Sequence, residues 1–158
     1  MLKSYILKKF NHFDVKHVSA PYDSSIELKK SLSKLIFFLH EYSQIIGSML
    51  HLTNFFRSDI AYAVGRLGRY TNNRDHSHWI ALERVFRYLK GTINYDIHYT
   101  CFLGIIEGFS DANWISDSDE TKSTSDYVFT LVGGAISWKS SKQTIIFYHE
   151  SRNYCFKY

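Results

Sequence analysis

At Ile93 the hydrophobic period of the chain changes, and no single kind of secondary structure satisfies both sides of the break. Before it, apolar residues recur every three or four positions. Tyr42, Ile45, Ile46, Met49, Leu50 and Thr53 stripe one face over 41–54, and Ile60, Ala61, Val64, Leu67 and Gly68 do so over 58–70. Trp79, Leu82, Val85, Phe86 and Leu89 continue the pattern over 75–91. That spacing predicts three amphipathic helices packed as a bundle. Ser58 and Asp75 stand where N-caps belong, and Gly91 where a helix ends. After the break Tyr95, Ile97 and Tyr99 alternate with Asp96, His98 and Thr100, the two-residue period of a strand. Further strands are expected at 104–110, Tyr127–Val132, Ala135–Lys139 and Thr144–Tyr148, with Gly133-Gly134 as a tight turn. The expected class is therefore α+β, helices first and strands second.

The first forty residues are less regular. Leu2, Tyr5, Ile6 and Phe10 predict a short helix over 2–10. Residues 11–25 hold the single proline, Pro21, among Ser, Asp and His, and read as a connector. Residues 26–39 fit either a helix face (Ile26, Leu28, Leu32, Leu35, Leu39) or a loop. An apolar fraction of 45% is enough for a core, and the longest apolar run, Leu35–Leu39, is too short to span a bilayer. Cys101 and Cys155 form no Cys-x-x-Cys motif, so neither a disulfide framework nor a zinc site is expected. No signal peptide is visible, which makes cytoplasm or nucleus the default location. The net charge of +4 is uneven: residues 1–100 carry fourteen Lys/Arg against eight Asp/Glu, and residues 101–158 five against seven. A basic half beside an acidic half suits a phosphate-facing surface next to a metal-facing one, or simply a soluble surface.

Candidate chemistry centres on Ile105–Trp114, an apolar stretch that delivers the carboxylate of Asp111 in a Ser-Asp-Ala turn. A strand can fix the direction of a metal-binding acid, but a turn-capping Asp has the same sequence signature. Two-metal phosphodiester chemistry needs several carboxylates around ions about 4 Å apart. Asp117, Asp119, Glu120 and Asp126 follow in what reads as a solvated acidic loop and a strand start over 115–126. Arg66, Arg69, Arg84, Arg87 and Lys90 lie off the apolar stripes and could track a phosphate backbone, or form an ordinary solvated face with pairs such as Glu83–Arg87. No Gly-x-Ser-x-Gly elbow and no Gly-rich phosphate loop occur. His76 and His78, two apart at a helix start, read as polar helix-start residues and not as a metal pair.

A run of spaced motifs then resembles one family. Tyr42–Leu50, Arg57–Val64, His78-Trp79 and Arg84–Thr92, followed in the same order by Glu107–Trp114, Lys122–Phe129 and Ile136–Gln143, are similar to the Pol polyprotein of copia-type long-terminal-repeat retrotransposons of plants. The similarity extends over residues 1–144 and includes the short pseudogene-like Pol fragments of plant genomes. It implies that residues 1–92 form the last, mostly helical part of a reverse transcriptase, its thumb and connection region. Residues 93–158 would open a ribonuclease H-like domain, which begins with three antiparallel strands. Asp111 would be the first metal-binding carboxylate of that domain, and Mg²⁺ its ion in the parent family. In such transposable elements the Pol chain serves reverse transcription and DNA integration.

Departures from the family pattern set the functional expectation. The polymerase motif Tyr-x-Asp-Asp is absent. After Gln143 the family continues with a helix that carries a second acid, whereas this chain reads Thr144–Tyr158, an atypical tail over 145–158. Ser58 replaces a family proline, Asp126 a glycine, and Asn113 a second Asp found in many members. The expectation is an incomplete ribonuclease H-like antiparallel sheet behind a helical bundle, with an exposed edge and an open face. Such a chain would be catalytically inactive, without a cofactor of its own, and would at most bind RNA or DNA weakly through the five cations. The alternatives are an active ribonuclease H-type nuclease whose metal site a partner chain completes, and a domesticated interaction module.

Overall fold

The computed structural model describes residues 2–9, 16–26, 28–29, 39–99, 104–113, 124–142 and 154–157. Those residues are mixed α+β and fall into two compact units, Met1–Tyr95 and Asp96–Tyr158. The first unit holds α1 (Leu2–Lys9), α2 (Leu39–Phe55), a 3₁₀ turn (Ser58–Ile60) that runs into α3 (Ala61–Gly68), and α4 (His76–Gly91). Four strands make the second unit: β1 (Ile106–Asn113), β2 (Thr124–Leu131), β3 (Gly134–Lys142) and β4 (Tyr154–Lys157).

Every buried apolar side chain among the described residues belongs to the helical unit. Ile45, Ile46, Met49 and Leu52 of α2 meet Val64 and Leu67 of α3 and Leu82, Val85, Phe86 and Leu89 of α4. Ile6 and Leu7 of α1 and Leu28 of the connector close the remaining side. Burying each such side chain contributes roughly 1.5–3 kcal/mol. The α2 stripe runs through Leu52 and not Leu50, which is 40% exposed, and in α3 Ala63 is buried while Ala61 is only half-buried. Two tyrosines reach across the core to backbone carbonyls: Tyr42 donates to Leu67 and Tyr70 to Leu28, each at 3.0 Å. Burial pushes the Tyr42 hydroxyl far above its ordinary pKa, and the nearby Arg74 offsets only part of the shift.

The helix ends differ from the sequence expectation in two places. Ser58 caps nothing. It opens the 3₁₀ turn, and the side chain that ties this corner is Arg57. Gly91 is the last helical residue of α4, and Thr92 is its cap, donating its N–H to the Tyr88 carbonyl at 3.0 Å. Asp75 does cap α4, accepting from Ser77 N–H at 2.9 Å. As expected for a connector, residues 16–26 form no regular element.

The sheet is fully antiparallel, in the order β3-β2-β1-β4. Three expectations change here. The alternating stretch Tyr95–Tyr99 forms no strand. Alternation records which way side chains point, not whether a partner edge exists. Tyr99 instead lays its ring over the β2–β3 turn, where a Cβ on Gly134 would come within 2.7 Å of it, and its hydroxyl reaches the Ala135 carbonyl at 3.4 Å. The turn itself is Val132-Gly133, both at positive φ (59° and 79°), and Gly134 already belongs to β3. The β1 edge, expected to be open, is covered at Glu107–Ser110 by β4, drawn from the atypical tail. The expected strand Thr144–Tyr148, most of the acidic loop, residues 30–38 and residues 149–153 lie outside the described residues.

Candidate functional site

Asp111 is not in a turn. It sits inside β1, where its Cα partner across the ladder is Asp126 of β2. Alternation puts Glu107, Phe109 and Asp111 on one face, with Thr130, Val128 and Asp126 opposite them and Trp138 and Ser140 beyond on β3. Directly opposed residues hold their Cβ atoms about 4.5–5.5 Å apart, so the two carboxylates are near neighbours of like charge. Asp111 is exposed and Asp126 half-buried. The sequence places Asp126 at a strand start, just after the acidic loop. Only the register of β1 against β2 brings it beside Asp111, and the connection between them is too long for a turn type to set that register.

Two opposed carboxylates can share one divalent ion at most. A pair of ions needs further oxygen ligands, and among the described residues no group of three or more His, Cys, Asp or Glu could hold a metal. Asp117, Asp119, Glu120 and Glu150 lie outside the described residues. The donors among the described residues do not fit a two-ion centre.

The five cations do not form one free surface. Arg66 is only 5% exposed, and its guanidinium donates to the Tyr22 hydroxyl and lies over the Tyr22 ring at 5.3 Å. Arg84 donates to the Ala20 carbonyl at 3.2 Å and pairs with Asp23 at 3.0 Å. The Asp23 carboxyl is held below its ordinary pKa by the hydrogen bonds from Ser25, with Arg84 adding to the effect. Arg87 donates to the Lys16 carbonyl at 2.8 Å. These three arginines strap the connector 16–26 onto α3 and α4. Arg69 and Lys90 are half-buried. Sequence periodicity placed all five off the apolar stripes but could not reveal that the connector folds back over three of them.

Two polar clusters in the helical unit escaped the sequence reading. Arg57, 3% exposed, grips both carboxylate oxygens of Asp59 at 2.8 and 2.7 Å, and its remaining donors reach the carbonyl and hydroxyl of Thr92 at 3.2 and 2.6 Å. Tyr88 donates to the same Asp59 at 2.8 Å. Burial pushes the Asp59 carboxyl up, but the bonds from Arg57 and Tyr88 outweigh it and hold the pKa below its ordinary value. The second cluster surrounds His78, which is fully buried at the start of α4 and bonded to Asp75. An Arg two residues before an Asp, and a His three after a cap, were the available signals.

The chain is 35% identical over 150 residues to the retrovirus-related Pol polyprotein from transposon TNT 1-94 of Nicotiana tabacum, a match covering 89% of this chain and 11% of that protein. It is 36% identical over 139 residues to the Pol polyprotein from transposon RE2 of Arabidopsis thaliana, covering 87% of this chain and 10% of that one. A protein named secreted RxLR effector protein 161, from Plasmopara viticola, is 39% identical over 106 residues, 66% of this chain and 75% of the effector. The chain thus spans about a tenth of the length of the Pol relatives it matches. No family model and no solved structure matches it.

Proposed function

The chain belongs to the copia-type retrotransposon Pol family, and from that premise we propose that it is a Pol segment without a self-sufficient catalytic centre. In this reading the helical unit corresponds to the closing region of the reverse transcriptase. The sheet corresponds to the opening strands of the ribonuclease H domain, with Asp111 as its first acid. One observation carries the proposal: the carboxylate facing Asp111 is that of Asp126, and the described residues add no third acid to the pair. Asp111 and Asp126 would then act as a weak single-ion site at best, and neither activates a water molecule between two ions. Of the five cations, Arg69, Lys90 and the exposed parts of Arg84 and Arg87 would contact RNA or DNA, because Arg66 is committed to Tyr22.

The test is cleavage of an RNA–DNA hybrid in Mg²⁺, with the purified chain compared with Asp111→Asn. The expected result is no cleavage above the substituted control. Cleavage that Asp111→Asn abolishes would overturn the reading and favour a nuclease whose site is completed by a partner chain. A second reading, an interaction module without a nucleic-acid role, draws support from the effector-named relative, of which the chain covers three quarters. Salt-dependent gel shifts separate these two: binding that weakens steeply with salt supports the Pol-segment reading, and none at any salt supports the module.

A further inference from the structure

His78 occupies the third position of α4, with both ring nitrogens out of solvent. Its Nδ1 lies 3.0 Å from the backbone nitrogen of Asp75 and 2.8 Å from Asp75 Oδ1. These two contacts are chemically exclusive. A neutral ring protonated on Nε2 accepts the Asp75 N–H through the Nδ1 lone pair and so completes the capping box. A ring that takes a solvent proton on Nδ1 loses that lone pair. It then turns its new N–H to Asp75 Oδ1, which already accepts from the N–H and hydroxyl of Ser77. Apart from the Asp75 carboxylate, the groups facing the ring offer an added charge little relief. Arg74, from its own helix start, is only 4% exposed, and the Tyr70 ring, from beyond α3, stands 4.4 Å away with its hydroxyl spent on Leu28. His78 Nε2 and Arg74 Nη2 are both buried without a hydrogen-bond partner.

We propose that His78 is a proton-sensitive lock on the start of α4, closed when the imidazole is neutral and opened when Nδ1 takes up a proton. The helical unit then loosens in mildly acidic surroundings. Burial depresses the His78 pKa from its ordinary 6.5, and Asp75 offsets only part of that. The unfolded chain therefore binds this proton more readily than the folded one. The stabilisation is complete above about pH 6.5 and is lost as pH falls from there toward the depressed folded value.

The experiment uses the whole chain and His78→Gln, since Gln at this position accepts the cap N–H but does not titrate. Thermal unfolding followed by helical circular dichroism is recorded from about pH 8 to about pH 5. The midpoint of the native chain should fall by about 4 °C or more beyond any fall in His78→Gln. Parallel falls in both proteins would overturn the proposal. Nitrogen-15 correlation spectra of the native imidazoles give a second readout, which stands even where the variant fails to fold. At pH 7 His78 should carry its proton on Nε2, and it should titrate below the ordinary imidazole value of about 6.5. A proton on Nδ1, or titration at or above the ordinary imidazole value, would overturn it.

Discussion

At the level of single residues, position and partner matter more than residue type. Val132 shows this most plainly. It is a β-branched residue at φ 59°, in a two-residue turn whose other member is Gly133. Left-handed backbone costs a non-glycine residue about 1–2 kcal/mol, and Asn tolerates it best among residues with a side chain. Val132→Asn should therefore raise stability by roughly 0.5–1 kcal/mol, read as a higher urea midpoint; a lower midpoint would show that the turn is not strained. Arg57 is the opposite case. Removing it strips the half-exposed Asp59 of a bidentate partner and opens a bond to Thr92. Breaking a buried pair costs about 3–5 kcal/mol. Because Asp59 is 34% exposed, Arg57→Ala should cost less, roughly 2–3 kcal/mol, again in the urea midpoint. The sequence offered Arg57, His78 and Asp126 without distinguishing them from other polar residues. Each one's importance comes from a neighbour 2 to 35 positions away in the chain.

Among elements, the three helices of 39–91 and the β2–β3 hairpin were readable, because their apolar periods are long, and Asp75 marks the start of α4 as a cap should. Boundaries moved by a residue or so, as at Ser58, which opens the 3₁₀ turn and does not cap it. What could not be read was the connector. Residues 16–26 carry no period, yet Arg66, Arg84 and Arg87 hold them against α3 and α4. Arg84→Ala together with Arg87→Ala should release that strap. Amide hydrogen exchange across 16–26 should quicken several-fold while α4 stays protected. If exchange there is unchanged, these arginines are free to serve other partners and the phosphate-tracking role of that face gains support. The strand expected at Tyr95–Tyr99 failed for a related reason: its alternation was real, but its aromatic ring was already used on the hairpin turn.

For the whole molecule, the two periods read from the sequence do mark two units, but their standing is unequal. The helical unit holds the buried apolar core, while the described sheet residues include no buried apolar side chain, and Ile106, Phe109, Tyr127 and Phe129 are each about two-fifths exposed. Ile106, Tyr127 and Phe129 share one face of the sheet, and Phe109 lies on the other with Asp111 and Asp126. The family motifs were legible because they are spaced and ordered; the pairing of Asp111 with Asp126 was not, since it depends on register. That pairing is the centre of the functional account, and divalent-ion binding tests it most directly. Titration of the chain with Mn²⁺, followed by water-proton relaxation, should reveal no more than one weakly held ion, with Asp111→Asn and Asp126→Asn weakening it alike. Two tightly bound ions that depend on Asp111 would contradict the account, because they would require a full set of carboxylates around it.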